Sequence, residues 1–589
     1  MKRYIVRIAF LITLSFALGA CESLLEEKVY SKITNRDIED SDAGADLWVT
    51  GAYNGLNRFF IWQEFPRNLE NDCDYASGPN WAFGETGAGN FQGAAREVDA
   101  TWKLPYDLIN VTNEAIYNIE QMKNVTPEHR NNCLGELKMI QAYCYFLIVR
   151  AYGPCPVFKK SINQGEHAHQ PRSQLKDVYA HIIDLLTFAK DNLYKRGDSR
   201  LVEGRVCAAA AATLLAKVYV TIGAASMPDG ATVYVKGGRP YTLAADGKTK
   251  ILTNPQTLKI SKRQVAGYEV FDSGEYYRLA KELATDIVLN KLYGNHALLP
   301  YDVLWKKAGR TNEEHFFRYT GKSGDDNLGA LFPRWYSGQW APEGYAIGGT
   351  LTWGLRSHWY KLFEEQDLRI VDGVFHRWVR QDEYKANRGG FYPDTPEWRL
   401  KATGKDENGD PVKGYPVAPF NDGRVYTNAI GENYLAYVTK YQDVSDPTLQ
   451  RTDGMFPFLR YADALLILAE ASNEVDGPNK TALDALNEVR TRSNASEKNL
   501  GSMEGGGLAT KELFRSAVLE ERAMELALES DRRWDLIRWG IYLDVMNAIG
   551  GPDEIGTSKA RLERHLLYPI PQSEIQANEA INENNPGWN

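Results

Sequence analysis

The feature that most constrains the fold is a set of long segments whose apolar residues recur about every 3.6 residues. In residues 98–122, for example, Trp102, Ile109 and Ile116 fall on one face, as an amphipathic helix requires. Pro105 lies in the same segment, where it predicts a kink or an early turn because proline lacks the donor for a helical hydrogen bond. The segment is therefore predicted to be a long helix with one buried face.

Similar patterns recur along most of the chain and come in neighbouring pairs. Further helices are predicted at residues 41–56, 127–152, 173–193, 205–222, 276–289, 457–474, 481–493 and 511–540. One pair cannot bury its apolar faces alone, so successive pairs are expected to stack as in tetratricopeptide-like solenoids. The strict repeat consensus is absent. The predicted fold is mainly α, with tetratricopeptide-like helix pairs forming a scaffold.

Two regions break the helical pattern. Residues 223–267 are rich in Gly, Thr and Lys and predict an inserted hairpin or long loop. Residues 300–450 are rich in Gly, Pro, Trp and Tyr, and irregular stretches of this length inside a globular protein are usually functional. Long irregular loops and small β-hairpin insertions are therefore expected to carry a ligand site. Residues 21–589 are predicted to form a single body, with its scaffold at about 40–222, 275–290 and 455–545.

The N-terminus has the organisation of a secretory signal. Three basic residues precede an apolar stretch at residues 8–20, which is too short to span a bilayer as a helix. It ends in Leu18-Gly19-Ala20-Cys21, which resembles a bacterial lipobox. Residues 1–20 are thus predicted to be a lipoprotein signal peptide, with lipid attached to Cys21 as a membrane anchor. The alternative is an ordinary cleaved signal followed by a chance cysteine.

Composition and motifs exclude several classes of function. The net charge of -9 argues against nucleic acid as a partner, because phosphate binding needs a basic surface. The chain has no zincin histidine pair, nucleophile elbow or phosphate-binding loop. We therefore predict no catalytic residue, no metal ligand and no cofactor. Residues 206–216, the most apolar later run, are mostly alanine and predict a tightly packed core helix.

Three carboxylates need a separate explanation. Glu521, Glu525 and Glu529 are four residues apart and so share one helix face. Paired carboxylates can serve a glycoside hydrolase as acid and nucleophile. Arginines at 522, 532 and 533 lie close in sequence, however, and this pattern is typical of salt-bridged helix surfaces and ion pairs between helices. We predict that these carboxylates have a structural role.

Several segments, taken in order, resemble the SusD/RagB family of nutrient-uptake lipoproteins. They are residues 134–146 with Tyr152-Gly153-Pro154-Cys155-Pro156, residues 355–369 ending in Asp367 and Arg369, residues 459–471 beginning Leu459-Arg460-Tyr461-Ala462-Asp463, residues 487–492, residues 521–540, and residues 567–588 ending in Asn585-Pro586-Gly587-Trp588. The matches cover nearly the whole chain after the signal. The insertion at 223–267 matches nothing in the family pattern, and the aromatic-rich middle is not expected to align.

The resemblance implies a fold, a location and a function. Proteins of this family are α-helical, with tetratricopeptide-like helix pairs as a scaffold and loops that carry the ligand site. They lie on the outer face of the outer membrane and act as a lid on a SusC-like TonB-dependent transporter. They deliver glycans to it, or peptides in some members, and carry out no bond chemistry. The chain is expected to do the same with an oligosaccharide.

Two aromatic stretches are the expected ligand site, and the resemblance places ligand loops near both. One is residues 72–91 and the other is residues 331–353. An exposed ring can stack on the apolar face of a sugar while polar neighbours bind its hydroxyl groups. The predicted ligand-binding residues are Trp81, Trp335, Tyr336, Trp340, Asp72, Asn80, Arg334 and Gln339. The alternative is that these aromatic residues only pin long loops onto the helical body.

Three other functions remain open from the sequence. A peptide-capturing lid of the same fold would bind main-chain groups along a groove. A surface glycoside hydrolase would need two carboxylates about 5–9.5 Å apart across a cleft. A purely structural surface protein would need neither. Clustered aromatic residues favour a glycan over a peptide.

Overall fold

The computed structural model describes residues 38–60, 65, 69–92, 95–336, 346–347, 353–380, 388–393, 425–426 and 435–588. The predicted lipid site Cys21 and the predicted ligand residues Gln339 and Trp340 lie outside this part of the chain, so they stay predictions.

Helices dominate the described residues. The longer ones are α1 Asp42–Phe60, α2 Ala95–Gln121, α3 Pro127–Tyr152, α4 Leu175–Asn192, α5 Ala208–Ser226, α6 Ser273–Val288, α7 Tyr461–Asp476, α8 Lys480–Arg492, α9 Lys511–Glu525, α10 Arg532–Arg538 and α11 Tyr542–Ile549. Short helices occupy Asn80–Phe83, Tyr301–Leu304, Pro333–Tyr336, Ser357–Tyr360, Leu368–Val371 and Gln572–Ala577. The mainly α fold class is thus confirmed.

Successive helices pack on one another in the order α1, α2, α3, α4, α5, α6, and α7 then packs on α6, α8 and α9. Local sequence explains where they begin and end. Pro127 opens α3 at a position where its missing N–H costs nothing, and Gly153 ends it with a φ of 70°. Asp272 and Asn479 cap α6 and α8 by accepting hydrogen bonds from backbone N–H groups of the first turn.

The apolar helix α5 lies at the centre of the scaffold. In the described part of the chain it is the one helix long and apolar enough to span a membrane, yet 94% of its apolar window is buried inside the protein. The predicted core helix is therefore confirmed. Cys144 and Cys207 are fully buried, and neither forms a disulfide.

Strands form small sheets around the scaffold. They are β1 Ala76–Ser77, β2 Thr232–Gly237, β3 Tyr241–Leu243, β4 Lys250–Leu252, β5 Gln256–Ser261, β6 His315–Thr320, β7 Ala346–Ile347, β8 Gly354–Arg356, β9 Arg377–Arg380, β10 Arg388–Phe391, β11 Val425–Tyr426, β12 Leu435–Ala436 and β13 Met455–Arg460. β8 lies between β1 and β12, antiparallel to both, β6 pairs with β13, and β9 and β10 lie between β7 and β11.

The predicted insertion is a pair of hairpins, β2–β5 and β3–β4. It starts later than expected, because α5 continues through Ser226. The hairpins are docked on the body: the backbone N–H of Tyr234 donates to Ser516 Oγ at 2.8 Å, and the Tyr241 hydroxyl donates to the Pro552 carbonyl at 3.2 Å. The insertion is therefore an ordered part of the fold.

Two helix predictions were wrong in detail. Residues 457–460 belong to strand β13, and α7 begins only at Tyr461. Residues 511–540 are not one helix, because α9 ends at Glu525 and α10 begins at Arg532. In the break, Leu528 and Ser530 adopt positive φ values of 59° and 71°, which no α-helix allows. Lys440 binds the carbonyl groups of Glu525 and Ala527 that the break exposes, at 3.1 and 2.9 Å.

Candidate functional site

Four aromatic residues from the two predicted stretches meet in one cluster, which we call the aromatic shelf: Trp81, Trp335, Tyr336 and Trp353. Trp81 and Trp335 meet edge to face, with ring centroids 5.6 Å apart. Trp353 lies edge-on to Trp335 at 5.7 Å and stacks on Tyr336 at 5.1 Å. Trp81 is 50% exposed, whereas Trp335 is 8% exposed. The shelf therefore presents one indole to solvent and supports it with three buried rings.

Asn71 holds the two halves of the shelf together. Its side-chain N–H donates to the carbonyl of Ala82 at 2.8 Å, and its side-chain oxygen accepts the indole N–H of Trp353. The sheet continues the link, because Ala76 of β1 pairs with Leu355 of β8. Asn71 is fully buried, so each of these bonds forms in a region of low dielectric, where losing it would leave an unpaired polar group.

Two predicted polar residues lie beside the shelf. Asn80 is exposed at the start of the short helix that carries Trp81. Arg334 precedes Trp335, and its guanidinium carbon lies 4.4 Å from the centre of that indole. Burial lowers the pKa of Arg334, and the nearby positive charge of Arg451 lowers it further. The shelf therefore has a neutral amide near its exposed edge and a cation against its buried ring.

Tyr336 was predicted to contact the ligand, but it is fully buried. It lies under the shelf, stacked on Trp353, and packs against Tyr441 with ring centroids 5.2 Å apart. Its position supports the other rings and gives it no surface for a sugar. This is a correction to the expectation from sequence.

Asp72 is a second correction, because it faces inward. Its carboxylate accepts hydrogen bonds from Arg533, from Arg561 at 2.9 Å and from Tyr542 at 2.8 Å. Burial raises the pKa of Asp72, but the two arginines outweigh that effect and hold it below its usual value. Asp72 thus anchors the loop before Trp81 to the C-terminal part of the chain and is closed to any ligand in this structure.

The sequence did not predict Glu70 as a buried, titratable residue beside the shelf. It is buried next to the shelf, where Ser530 donates a hydrogen bond to its carboxyl at 2.9 Å. Burial raises the pKa of Glu70 to about 8, and the charges of Asp531 and Glu529 add to the effect. No sequence pattern marks this residue, since its environment is built by segments hundreds of positions away.

The three carboxylates considered above as possible hydrolase groups are buried and paired with cations: Glu521, Glu525 and Glu529. Glu525 accepts from Arg460 at 2.9 Å and Arg492 at 2.5 Å. The shortest ion pairs of the other two are Glu521 with Arg369 at 2.5 Å and Glu529 with Lys440 at 2.6 Å. The predicted structural role is confirmed, although the partners are not the arginines adjacent in sequence. Arginines 522, 532 and 533 pair instead with aspartates 463, 74 and 72.

One group of side chains in the described residues could be considered for a metal. Asp46, His129 and Cys133 lie near one another, with His129 and Cys133 one turn apart on α3. Asp46 Oδ1 already accepts from Arg205 at 2.6 Å, however, and the same guanidinium lies 3.6 Å from Glu136. The cluster is therefore organised as an ion pair, in which a cation would have to displace an arginine.

Comparison with known proteins identifies the class of protein to which the chain belongs. The family model described as "SusD family" matches residues 356–588, and the model described as "Starch-binding associating with outer membrane" matches residues 25–220. SusD-like protein P25 of Formosa agariphila is 24% identical over 97% of this chain and 96% of its own length. The starch-binding protein SusD of Bacteroides thetaiotaomicron is 31% identical over 25% of this chain and 24% of its own length.

Solved structures agree with the fold. A SusD homolog from Bacteroides thetaiotaomicron has a TM-score of 0.66 and 21% identity, covering 94% of this chain and 98% of its own. Surface glycan-binding protein A from the same organism has a TM-score of 0.60 and 18% identity, covering 93% and 99%. A laminarin-binding SusD-like protein has a TM-score of 0.58 and 17% identity, covering 93% and 99%.

The fold is that of the SusD superfamily, a helical scaffold with long loops. The chain belongs to the SusD/RagB family. It is a binding protein and not an enzyme, like the starch- and glycan-binding members of this family. The family description associates these proteins with the outer membrane, and this chain shares that association.

Proposed function

We propose that this protein is a cell-surface glycan-binding lipoprotein that captures oligosaccharides and delivers them to a SusC-like TonB-dependent transporter. The observation that carries the proposal is the aromatic shelf, in which the half-exposed indole of Trp81 is fixed against Trp335. A flat apolar ring with polar neighbours complements a sugar, which has an apolar C–H face and a hydroxyl rim.

The shelf can bind without rearranging. Trp81 lies on a short helix, its partner Trp335 lies on another, and Asn71 ties the first helix to Trp353. Binding to a rigid surface loses less conformational entropy than binding to a mobile loop. Asn80 is the exposed polar group that we expect to bind sugar hydroxyls, whereas Arg334, also predicted from sequence, is only 8% exposed and supports Trp335 instead. Gln339 and Trp340 follow Trp335 closely in sequence and remain proposed contributors.

The names of three related proteins support a glycan as the ligand. One relative is named for starch binding, one structural neighbour for surface glycan binding and another for laminarin binding. The buried carboxylates support capture without cleavage, because Glu521, Glu525 and Glu529 are held by cations in the interior. A hydrolase would need two carboxyl groups open to the sugar.

Anchoring and delivery complete the proposal. Lipid on Cys21 would hold the protein at the outer membrane, since two or more acyl chains give stable attachment. From there the protein would close over a transporter and release its ligand inward. Co-purification of a TonB-dependent barrel with the tagged, lipidated protein from solubilised outer membranes is the result expected, and its absence would contradict the delivery step.

Calorimetry tests the choice of ligand class. The chain without residues 1–21 would be titrated with soluble plant, host and microbial glycans and with a mixed peptide digest. We expect binding by at least one glycan, with a Kd of about 1 µM to 1 mM, and no release of sugar on long incubation. Binding of peptides alone would replace the proposal with a peptide-capturing lid. Release of sugar would contradict the conclusion that the protein binds glycans without cleaving them.

A further inference from the structure

A second concave site lies away from the aromatic shelf and shares no residue with it. It is a cavity of about 760 Å³ between the end of α3, the start of α4, the stretch after β5 and the C-terminal segment. Ligand pockets for small molecules usually measure about 300–1,000 Å³. The cavity is therefore large enough for a small organic ligand.

The wall of this cavity is mainly apolar. Its apolar lining residues include Val149, Leu175, Val265, Val270, Ile537 and Leu567. Backbone completes the wall at Gly153 and Gly267, whose φ values of 70° and 88° suit glycine and strain other residues. Val270 remains 66% exposed at the edge. An apolar surface of this shape is open to water unless a ligand covers it.

One charged side chain, Arg150, lies in the interior of this wall. Only 8% of the side chain is exposed. Its Nε donates to the Phe146 carbonyl at 3.2 Å, and its guanidinium lies 4.0 Å from the centre of the Phe146 ring. The nearest carboxylate oxygen is Asp531 Oδ1, 4.0 Å from Nη1 and beyond hydrogen-bond distance. Among the described residues, neither terminal nitrogen forms a hydrogen bond, and Arg150 lines the cavity, so both nitrogens keep donors for a bound acceptor.

Asp531 cannot fully neutralise Arg150, because it is shared. Lys217 lies 2.7 Å from Asp531 and Arg522 lies 3.9 Å from it. Burial lowers the pKa of Arg150, and the nearby carboxylates offset this only in part. At the mouth of the cavity, exposed Lys176 and Arg564 are balanced by exposed Glu269 and Glu563. The lining therefore carries one net positive charge, located at Arg150.

We propose that this cavity binds a small amphiphilic carboxylate, whose apolar body lies on the apolar wall and whose carboxylate accepts hydrogen bonds from Arg150. A guanidinium offers parallel N–H donors to the two oxygens of a carboxylate. An uncharged ligand of the same shape would fill the cavity but leave the N–H donors of Arg150 without a charged acceptor. A sugar would gain little from a wall of this composition.

Fluorescence titration tests this site with defined probes. The chain without residues 1–21 keeps every described element, so it is a suitable sample. Decanoate should displace bound 8-anilinonaphthalene-1-sulfonate at pH 7.5 with one site per chain. Decan-1-ol should bind at least about tenfold more weakly, because it lacks the charge that Arg150 recognises. Trp81→Ala should bind decanoate like the wild type.

Two variants locate the site. Ala266 is exposed on the cavity wall, so Ala266→Trp should fill the cavity and abolish decanoate binding, whereas Ala245→Trp in the exposed turn between β3 and β4 should not. Arg150→Gln should weaken decanoate to the level of the alcohol. The proposal is overturned if the wild type shows no saturable binding, if the acid and the alcohol bind equally, or if Ala266→Trp binds decanoate as tightly as the wild type.

Discussion

Asn71 shows how one buried side chain can set the geometry of a surface site. It bonds to the loop that carries Trp81 and to the indole that supports Trp335. The contact with Trp353 joins residues 282 positions apart. The local sequence does not predict this buried role of Asn71, because an asparagine followed closely by two aspartates is equally compatible with an exposed turn.

We predict that Asn71→Ala lowers both stability and glycan affinity. Removing the side chain takes away the bond to the Ala82 carbonyl and leaves the buried indole N–H of Trp353 without the oxygen that accepts it, at a cost of about 1–3 kcal/mol for the indole. Thermal unfolding and calorimetry would measure the two effects. Asn54→Ala, on the exposed face of α1, is the matched control and should change neither. Unchanged affinity in Asn71→Ala would show that the shelf does not depend on this residue.

The raised pKa of Glu70 leads to a prediction about how the stability of the fold depends on pH. Its pKa is raised to about 8 in the folded state, so the folded protein keeps a proton that the unfolded chain loses near pH 4.5. Stability from this group is fully present at low pH and declines as pH rises towards 8. Glu70→Gln should therefore unfold at a higher temperature than the wild type at pH 7.5.

The same variant supplies its own control. At pH 5 the wild-type carboxyl is neutral in the folded state, and the unfolded chain gains less from ionising it, so the difference in Tm between Glu70→Gln and wild type should be much smaller than at pH 7.5. Glutamine keeps an oxygen that can accept from Ser530. A Tm difference that is equal at pH 5 and pH 7.5 would contradict the raised pKa.

Helices, strands and breaks differ in how far they could be predicted. Long helices such as α3 were predicted with their ends, because Pro127 and Gly153 mark the beginning and the end of one long apolar segment. Strand β13 was missed, because a short apolar run before a helix fits either structure. The break between α9 and α10 has no glycine or proline; it is imposed by packing, in which Tyr441 donates to the Leu528 carbonyl at 2.5 Å.

The ion pairs of α9 have a large expected effect on stability. Glu525→Gln keeps the shape of the side chain but leaves Arg460, Arg492 and Arg369 without a shared negative charge. Breaking a buried pair in this way costs about 3–5 kcal/mol. The exposed pair Lys480–Asp484 is the control, and Asp484→Asn should cost less than about 1 kcal/mol.

Urea unfolding of both variants checks this prediction. If Glu525→Gln were as stable as Asp484→Asn, the network would not be what joins α9 to its neighbours. The sequence indicated that these carboxylates are structural, but it could not supply their partners. Arg369 and Arg460 lie 156 and 65 residues from Glu525, and only the folded chain brings them together.

For the molecule as a whole, the order of short motifs was more informative than any single one. Many of those motif residues, including Asp367, Arg460 and Asp463, are now seen in buried ion pairs. These residues stabilise the scaffold, so their motifs identify the fold and the family and do not mark the ligand site. The ligand residues were harder to predict, since Trp81 is exposed while four others proved to be buried: Asp72, Arg334, Trp335 and Tyr336. Exposure depends on the distant segments that cover each side chain.

The membrane anchor gives a prediction at the same scale. Cys21→Ser should remove the thiol that accepts lipid, so the protein should no longer incorporate labelled palmitate and should leave the membrane fraction. Substitution of a buried thiol such as Cys207→Ser serves as the comparison and should keep the label. Palmitate labelling that persists in Cys21→Ser would refute the predicted lipobox.

The central claim is that the aromatic shelf binds a glycan, and Trp81 offers the most direct test. Because this ring is half exposed, Trp81→Ala should remove ligand contact without unfolding the protein. Calorimetry with the tightest glycan of the panel should show a loss of at least about tenfold in affinity. Tyr117→Ala removes a ring on α2 that is 45% exposed and should bind like the wild type. Equal affinity of Trp81→Ala and Tyr117→Ala would contradict the account and place the glycan elsewhere.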